Sequence, residues 1–172
     1  NSLFMMDAGF YLQWKDEAID GLWQFMREIT NTPEDGTVRV SAWYFTHTHA
    51  DHIDGCAKLL RKYHDNIVID RLLYNFPHYD ALGGYEPSIF YVKEQVAQWY
   101  PHCKFLKLHA GQKFDLADMG VEVFYTQEDA ISEGNMSKFP LRDGNCMSSI
   151  LKLTIGGKTS MMLGDTNIEA EA

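Results

Sequence analysis

Cysteine is scarce. Cys56, Cys103 and Cys146 are odd in number and widely spaced, and no CxxC pair occurs. That gives neither a disulfide framework nor a structural zinc knuckle, and each thiol reads as a small buried apolar group. Long apolar runs are missing too. Stretches such as Ala42-Trp43-Tyr44-Phe45 fall far short of the roughly 20 residues that cross a bilayer. Basic residues are outnumbered, 15 Lys and Arg against 24 Asp and Glu, for a formal charge of −9. That sign argues against a protein whose main task is gripping a nucleic-acid backbone, although it leaves room for a nuclease that meets phosphate through metal ions. There is no internal repeat, no low-complexity tract and no recognisable signal peptide. The sequence opens at Asn1, not Met, and runs almost directly into an apolar segment. An upstream leader, membrane domain or other domain is compatible with that, so the compartment stays open, with a slight preference for the cytoplasm.

What is present is ordinary for a globular fold. The 172 residues are 45% apolar and 23% charged, enough for one domain with a core, over residues 1–172. Leu3 to Gly9 reads as a short buried strand ending in Asp7 and a glycine turn. Asp16 to Ile29 fits a helix, with Ile19, Leu22, Trp23, Met26 and Ile29 recurring at three- and four-residue steps. Val38 to Phe45 reads as a strand, Ile53 to Tyr63 as a helix, Asn66 to Tyr74 as a third strand and Ser88 to Tyr100 as a third helix. Lys104 to Leu108 is a further strand. Gln112 to Leu116 and Val121 to Thr126 form a pair around Asp118-Met119-Gly120. Ser148 to Ile155 and Thr159 to Leu163 flank a Gly156-Gly157 hairpin turn. Strands alternating with helices, then a run of strands, predict a layered α/β architecture.

The chemistry concentrates in Thr46-His47-Thr48-His49-Ala50-Asp51-His52, directly after the second strand. A loop leaving a strand points its side chains into the crevice at the carboxyl edge of a sheet. In extended chain, residues two apart share a face, so His47 and His49 can hold one ion together. Asp51 and His52 follow where the chain turns towards the second helix, and can aim at a neighbouring position. Imidazole nitrogen and carboxylate oxygen suit Zn²⁺, with Mn²⁺ or Fe as competitors.

This segment resembles the HxHxDH signature of the metallo-β-lactamase superfamily. Met6-Asp7-Ala8-Gly9 is similar to that family's early strand ending in Asp-x-Gly, and Met161-Met162-Leu163-Gly164-Asp165 to its late strand ending in Gly-Asp. The resemblance implies an αββα sandwich, here incomplete at both ends, with a site for two divalent metal ions at one edge of the sheets. It further implies His47 and His49 as ligands of one ion, Asp51 and His52 of the other, and Asp165 as the ligand shared by both. Asn145 to Leu153, together with Gly164-Asp165, looks like the nuclease-like domain of bacterial competence (DNA-uptake) channel proteins and their stand-alone relatives.

Two departures from the pattern matter. The superfamily supplies a further histidine ligand between the two motifs, in a glycine-flanked context that none of His64, His78, His102 and His109 shows. His64 is expected to be solvated at a helix end, and His102 to meet a helix dipole. His78 and His109 remain candidates for the site's surroundings, as do Asp7, Asn145 and Ser148, and the Asn145 to Ser149 segment can stand in for the missing histidine. The superfamily also continues past Gly-Asp to a last histidine ligand, whereas this sequence stops at Ala172, which suggests a fragment.

The expected function is hydrolysis of an ester-like bond by water activated at the two ions, with Asp51 orienting that water. A phosphodiester comes first, in a small-molecule or nucleotide-type substrate; nucleic acid is possible but not favoured by charge. Phe76, Tyr79 and Tyr85 either stack on a base or cover a sheet edge. The alternatives are a lactone, thioester or β-lactam hydrolase of the same fold, and a non-catalytic metal-binding domain. Oligomeric state is open.

Overall fold

The computed structural model describes residues 1–9, 15–77, 87–128 and 145–166. The described elements, in chain order, are β1 (Leu3–Met6), α1 (Asp16–Thr30), β2 (Val38–Tyr44), α2 (Ala50–Tyr63), β3 (Ile67–Ile69), β4 (Arg71–Tyr74), α3 (Ser88–Trp99), β5 (Lys104–Lys107), β6 (Lys113–Leu116), β7 (Met119–Tyr125), β8 (Ile150–Ile155) and β9 (Lys158–Met162). The chain divides into two compact units. The first holds Asn1–Phe45, His49–Leu73 and Glu86–Leu106; the second holds Thr46–Thr48, Tyr74–Tyr85 and Lys107–Ala172.

The first unit is built around β2. β1 and β4 pair with it in parallel, with Met6 opposite Tyr44 and Trp43 opposite Leu72. The strand order is β1-β2-β4-β5, and β3 joins the amino-terminal part of β2. Val38, Val40, Ala42, Trp43 and Tyr44 are all buried, as expected for the middle strand of a parallel sheet. Parallel pairing brings the carboxyl ends of β1 and β2 level, so Asp7 follows β1 where Phe45 follows β2.

The helices of this unit pack through the apolar faces that periodicity gives them. Ile19, Trp23 and Met26 of α1 are buried, as are Ile53, Cys56, Leu59 and Leu60 of α2. Trp23 stacks on Tyr63 with ring centres 4.9 Å apart. Lys62 pairs with Asp20 at 2.5 Å and Lys58 with Asp16 at 3.3 Å, and Tyr63 donates its hydroxyl hydrogen to Asp20. α1 stops where Asn31 turns left-handed (φ +53), and its amide closes on the helix carbonyls.

The second unit contains an antiparallel meander, β6-β7-β8-β9. Met119, Val121 and Val123 of β7 alternate inward with Leu151 and Leu153 of β8. On the opposite face the register aligns Lys113, Glu122 and Lys152, and Glu122 pairs with both lysines, at 2.6 and 3.4 Å. β8 and β9 are joined through Gly156 and Gly157, both at positive φ (55° and 78°), which the tight hairpin turn requires.

Three expected boundaries change. Asn66 to Tyr74 is two strands, β3 and β4, separated at Asp70, whose amide still donates to the Val40 carbonyl, whose carbonyl accepts from Lys104 and whose carboxylate takes Arg39 at 2.8 Å. The β6–β7 turn falls at Ala117-Asp118, with Ala117 at φ +56, so Met119 and Gly120 belong to β7. α2 begins at Ala50, three residues before the apolar periodicity starts. Its first turn is polar, so a reading based on apolar spacing misses it. Among the described residues, no helix is long and apolar enough to cross a membrane.

Candidate metal centre

The HxHxDH stretch is shared between the units, Thr46–Thr48 belonging to the second and His49 onwards to the first. In the first unit, His49 is the N-cap of α2 with an extended backbone, and Asp51 and His52 lie in the opening turn. A carboxylate there is favoured by the positive end of the helix dipole. Asp51 points largely to solvent, and its Oδ2 lies 3.9 Å from His52 Nε2. On the other side of the ring, His52 Nδ1 is 2.8 Å from Asp7 Oδ2. Asp7 is itself fixed: its amide donates to Tyr44 at 2.8 Å and its carbonyl accepts from the Trp43 indole at 3.1 Å. Asp7 thus both ends β1 and meets the His52 ring. The Asp7–His52 contact directs Nε2, not Nδ1, towards any ligand.

In the second unit, His47 is fully buried and its Nδ1 lies 3.0 Å from Thr46 Oγ1. Asp165 follows the positive-φ Gly164, and its amide donates to Ser148 Oγ at 3.2 Å. A ring nitrogen of His47 and a carboxylate oxygen of Asp165 lie within 4.8 Å of each other. An ion about 2.1 Å from each ligand comes close to bridging that span. The donor set fits a divalent cation: imidazole and carboxylate, with a second polar group behind each histidine ring.

The remaining candidates have local partners. Ser148 is fully buried, and its amide donates to the Asn145 carbonyl in a short 3-10 turn, Asn145–Met147. His109 is half exposed, with Nδ1 3.1 Å from Glu128 Oε2. Glu128 also accepts from Asn75 (2.8 Å), Thr126 (3.0 Å) and Lys107 (2.9 Å). Partial burial opposes its ionisation, but the hydrogen bonds from Lys107, Asn75 and Thr126 outweigh burial and hold its pKa at about 2. Sequence reading does not find this cluster, because its members come from three separate strand ends.

His78, Tyr79 and Tyr85 lie outside the described residues. Phe76 is buried beside Tyr74, ring centres 5.5 Å apart, so it covers apolar surface and does not offer a face to a base. His64 is not a solvated helix end. It stacks on Trp99 at 4.2 Å, and its carbonyl accepts from Tyr100. Cys56 is buried as expected, and burial pushes its thiol pKa well up; Cys103 is only partly covered, with a pKa raised to about 11 chiefly by desolvation.

No family model and no curated protein matches this sequence. Solved structures do. The metallo-β-lactamase fold protein YhfI from Bacillus subtilis aligns over 93% of this chain and 48% of its own, with a TM-score of 0.50 and 12% identity. A HARLDQ-motif mutant metallo-β-lactamase from Cronobacter sakazakii aligns over 93% and 52%, at TM-score 0.48 and 16% identity. MEM-A1, a subclass B3 metallo-β-lactamase from a soil metagenome library, aligns over 94% and 51%, at 0.48 and 17%. The chain has the metallo-β-lactamase fold, as the HxHxDH resemblance implies. It spans about half the length of these structures.

Proposed function

We propose that this chain carries the site of a metal-dependent hydrolase acting on a phosphodiester or a related ester. The supporting observation is the pairing of His47 with Asp165 in the second unit, within reach of one ion. In this proposal His52, five residues further along the same signature, joins them. His47 and His49 would hold one divalent ion, Asp51 and His52 a second, with Asp165 shared, zinc being the first choice. When bound, the ions would supply Lewis-acid activation of water and of the scissile group. The protein's own part is to hold the rings by their far nitrogens, through Thr46 and Asp7. Asp51 sits exposed at the helix start, where it would orient the attacking water. The phosphodiester preference comes from the likeness of Asn145–Leu153 and Gly164-Asp165 to competence-type nuclease domains.

The test is metal analysis of metal-replete protein, followed by parallel assays on bis-p-nitrophenyl phosphate and a lactone panel. About two ions per chain and phosphodiester turnover are expected. Asp51→Ala should lower turnover by at least about 100-fold. Less than one ion per chain removes the metal scheme. Lactone turnover without phosphodiester turnover moves the substrate class, and tight metal binding with no turnover makes the domain non-catalytic.

A further inference from the structure

We propose that Thr46 is a positioning residue that sets both members of the His47–Asp165 pair, its hydroxyl fixing the His47 ring and its Cβ seating the turn that carries Asp165. The inference rests on the metal-hydrolase reading and adds a residue that neither the signature nor the resemblance assigns.

Thr46 is fully buried, and its Oγ1 lies 3.0 Å from His47 Nδ1. In the proposed arrangement that hydroxyl accepts from Nδ1–H, which leaves the Nε2 lone pair for a cation. Thr46 is β-branched, so its side chain is stiff about χ1 and the ring inherits that stiffness. Its backbone is pinned as well: the Thr46 carbonyl accepts from the Ser149 amide at 3.0 Å. The neighbouring residue, Ser148, accepts from the Asp165 amide at 3.2 Å. Between them sits Gly164, at φ +62, where an added Cβ would stand 2.8 Å from Ser148 Oγ and 2.9 Å from Thr46 Cβ. The Asp165 turn therefore closes directly onto Thr46 and Ser148, with no room for a side chain. One residue touches the histidine through oxygen and the Asp165 turn through carbon, so the two ligands share a common reference point.

The experiment compares wild type with Thr46→Val, which keeps the shape and loses the hydroxyl, and Thr46→Ser, which keeps the hydroxyl. Zinc affinity is measured against a chromophoric chelator, and the His47 tautomer by nitrogen-15 NMR of the metal-free protein. Wild type should show the Nδ1–H tautomer. Thr46→Val should bind zinc about 10- to 100-fold more weakly and lose the single tautomer. Thr46→Ser should restore both. An Nε2–H tautomer in wild type overturns the proposal without any variant being needed. Equal zinc affinity in wild type and Thr46→Val overturns it too, as does failure of Thr46→Ser to rescue. If wild type binds no zinc, the metal-hydrolase reading fails instead, and the tautomer still judges Thr46 by itself.

Discussion

Asp7 is held at the end of β1 with a left-handed backbone, φ +50, that only a few side chains tolerate. Asn is one of them, so Asp7→Asn keeps the backbone and a hydrogen-bond acceptor but removes the negative charge behind His52. A carboxylate behind a metal-binding imidazole raises its basicity. Zinc affinity should therefore fall by about tenfold, read by chelator competition, with little change in thermal unfolding. A variant that binds as tightly as wild type would make Asp7 a strand terminator only. The sequence leaves the role of Asp7 between those two, and carries no sign of its 2.8 Å contact to a ring 45 residues away.

At the scale of elements, two helical glycines behave oppositely. A Cβ on Gly55 of α2 would lie 1.8 Å from the Ala8 carbonyl oxygen, and the Gly55 amide donates to Gly9 at 2.9 Å. The backbone after β1 rests directly on α2, next to the turn that presents His52. Gly55→Ala should destabilise by about 1–3 kcal/mol, as overpacking does. Gly21 of α1 has nothing within 4 Å of its Cβ position, so Gly21→Ala should stabilise by about 0.5–1 kcal/mol through helix propensity alone. Denaturant midpoints at equal m-values check both. Apolar periodicity found α1 to within a residue of its end, yet began α2 three residues late. Both helices open with a polar turn and bury their fourth residue first, Ile19 in α1 and Ile53 in α2, so apolar spacing by itself marks neither start.

For the molecule as a whole, the Glu128 cluster predicts a loss of stability in acid. Asn75, Lys107 and Thr126, all in the second unit, converge on this one carboxylate. Its folded pKa of about 2 lies below the ordinary 4.5. A carboxylate shifted in that direction stabilises fully above its unfolded pKa, and the contribution fades as pH falls from about 4.5 towards 2. Glu128→Gln should melt below wild type at pH 7, and the gap should close between pH 5 and pH 2. A gap that stays constant with pH would mean that the carboxylate's charge contributes nothing to the fold.

Some of this could be read from the sequence because it is local. Backbone preferences and burial periodicity act over a turn of helix or a few strand residues, so the helices, the Gly156-Gly157 hairpin and the clustering of His47, His49, Asp51 and His52 are written in adjacent residues. Tertiary structure alone decided the long-range contacts: Asp7 behind His52, Thr46 and Ser148 around Gly164, and Glu128 with Asn75. Each joins groups far apart in the chain, through part-buried hydrogen bonds or close packing whose partners depend on which strands become neighbours. Strand order is set by long-range packing, and no window of sequence contains it.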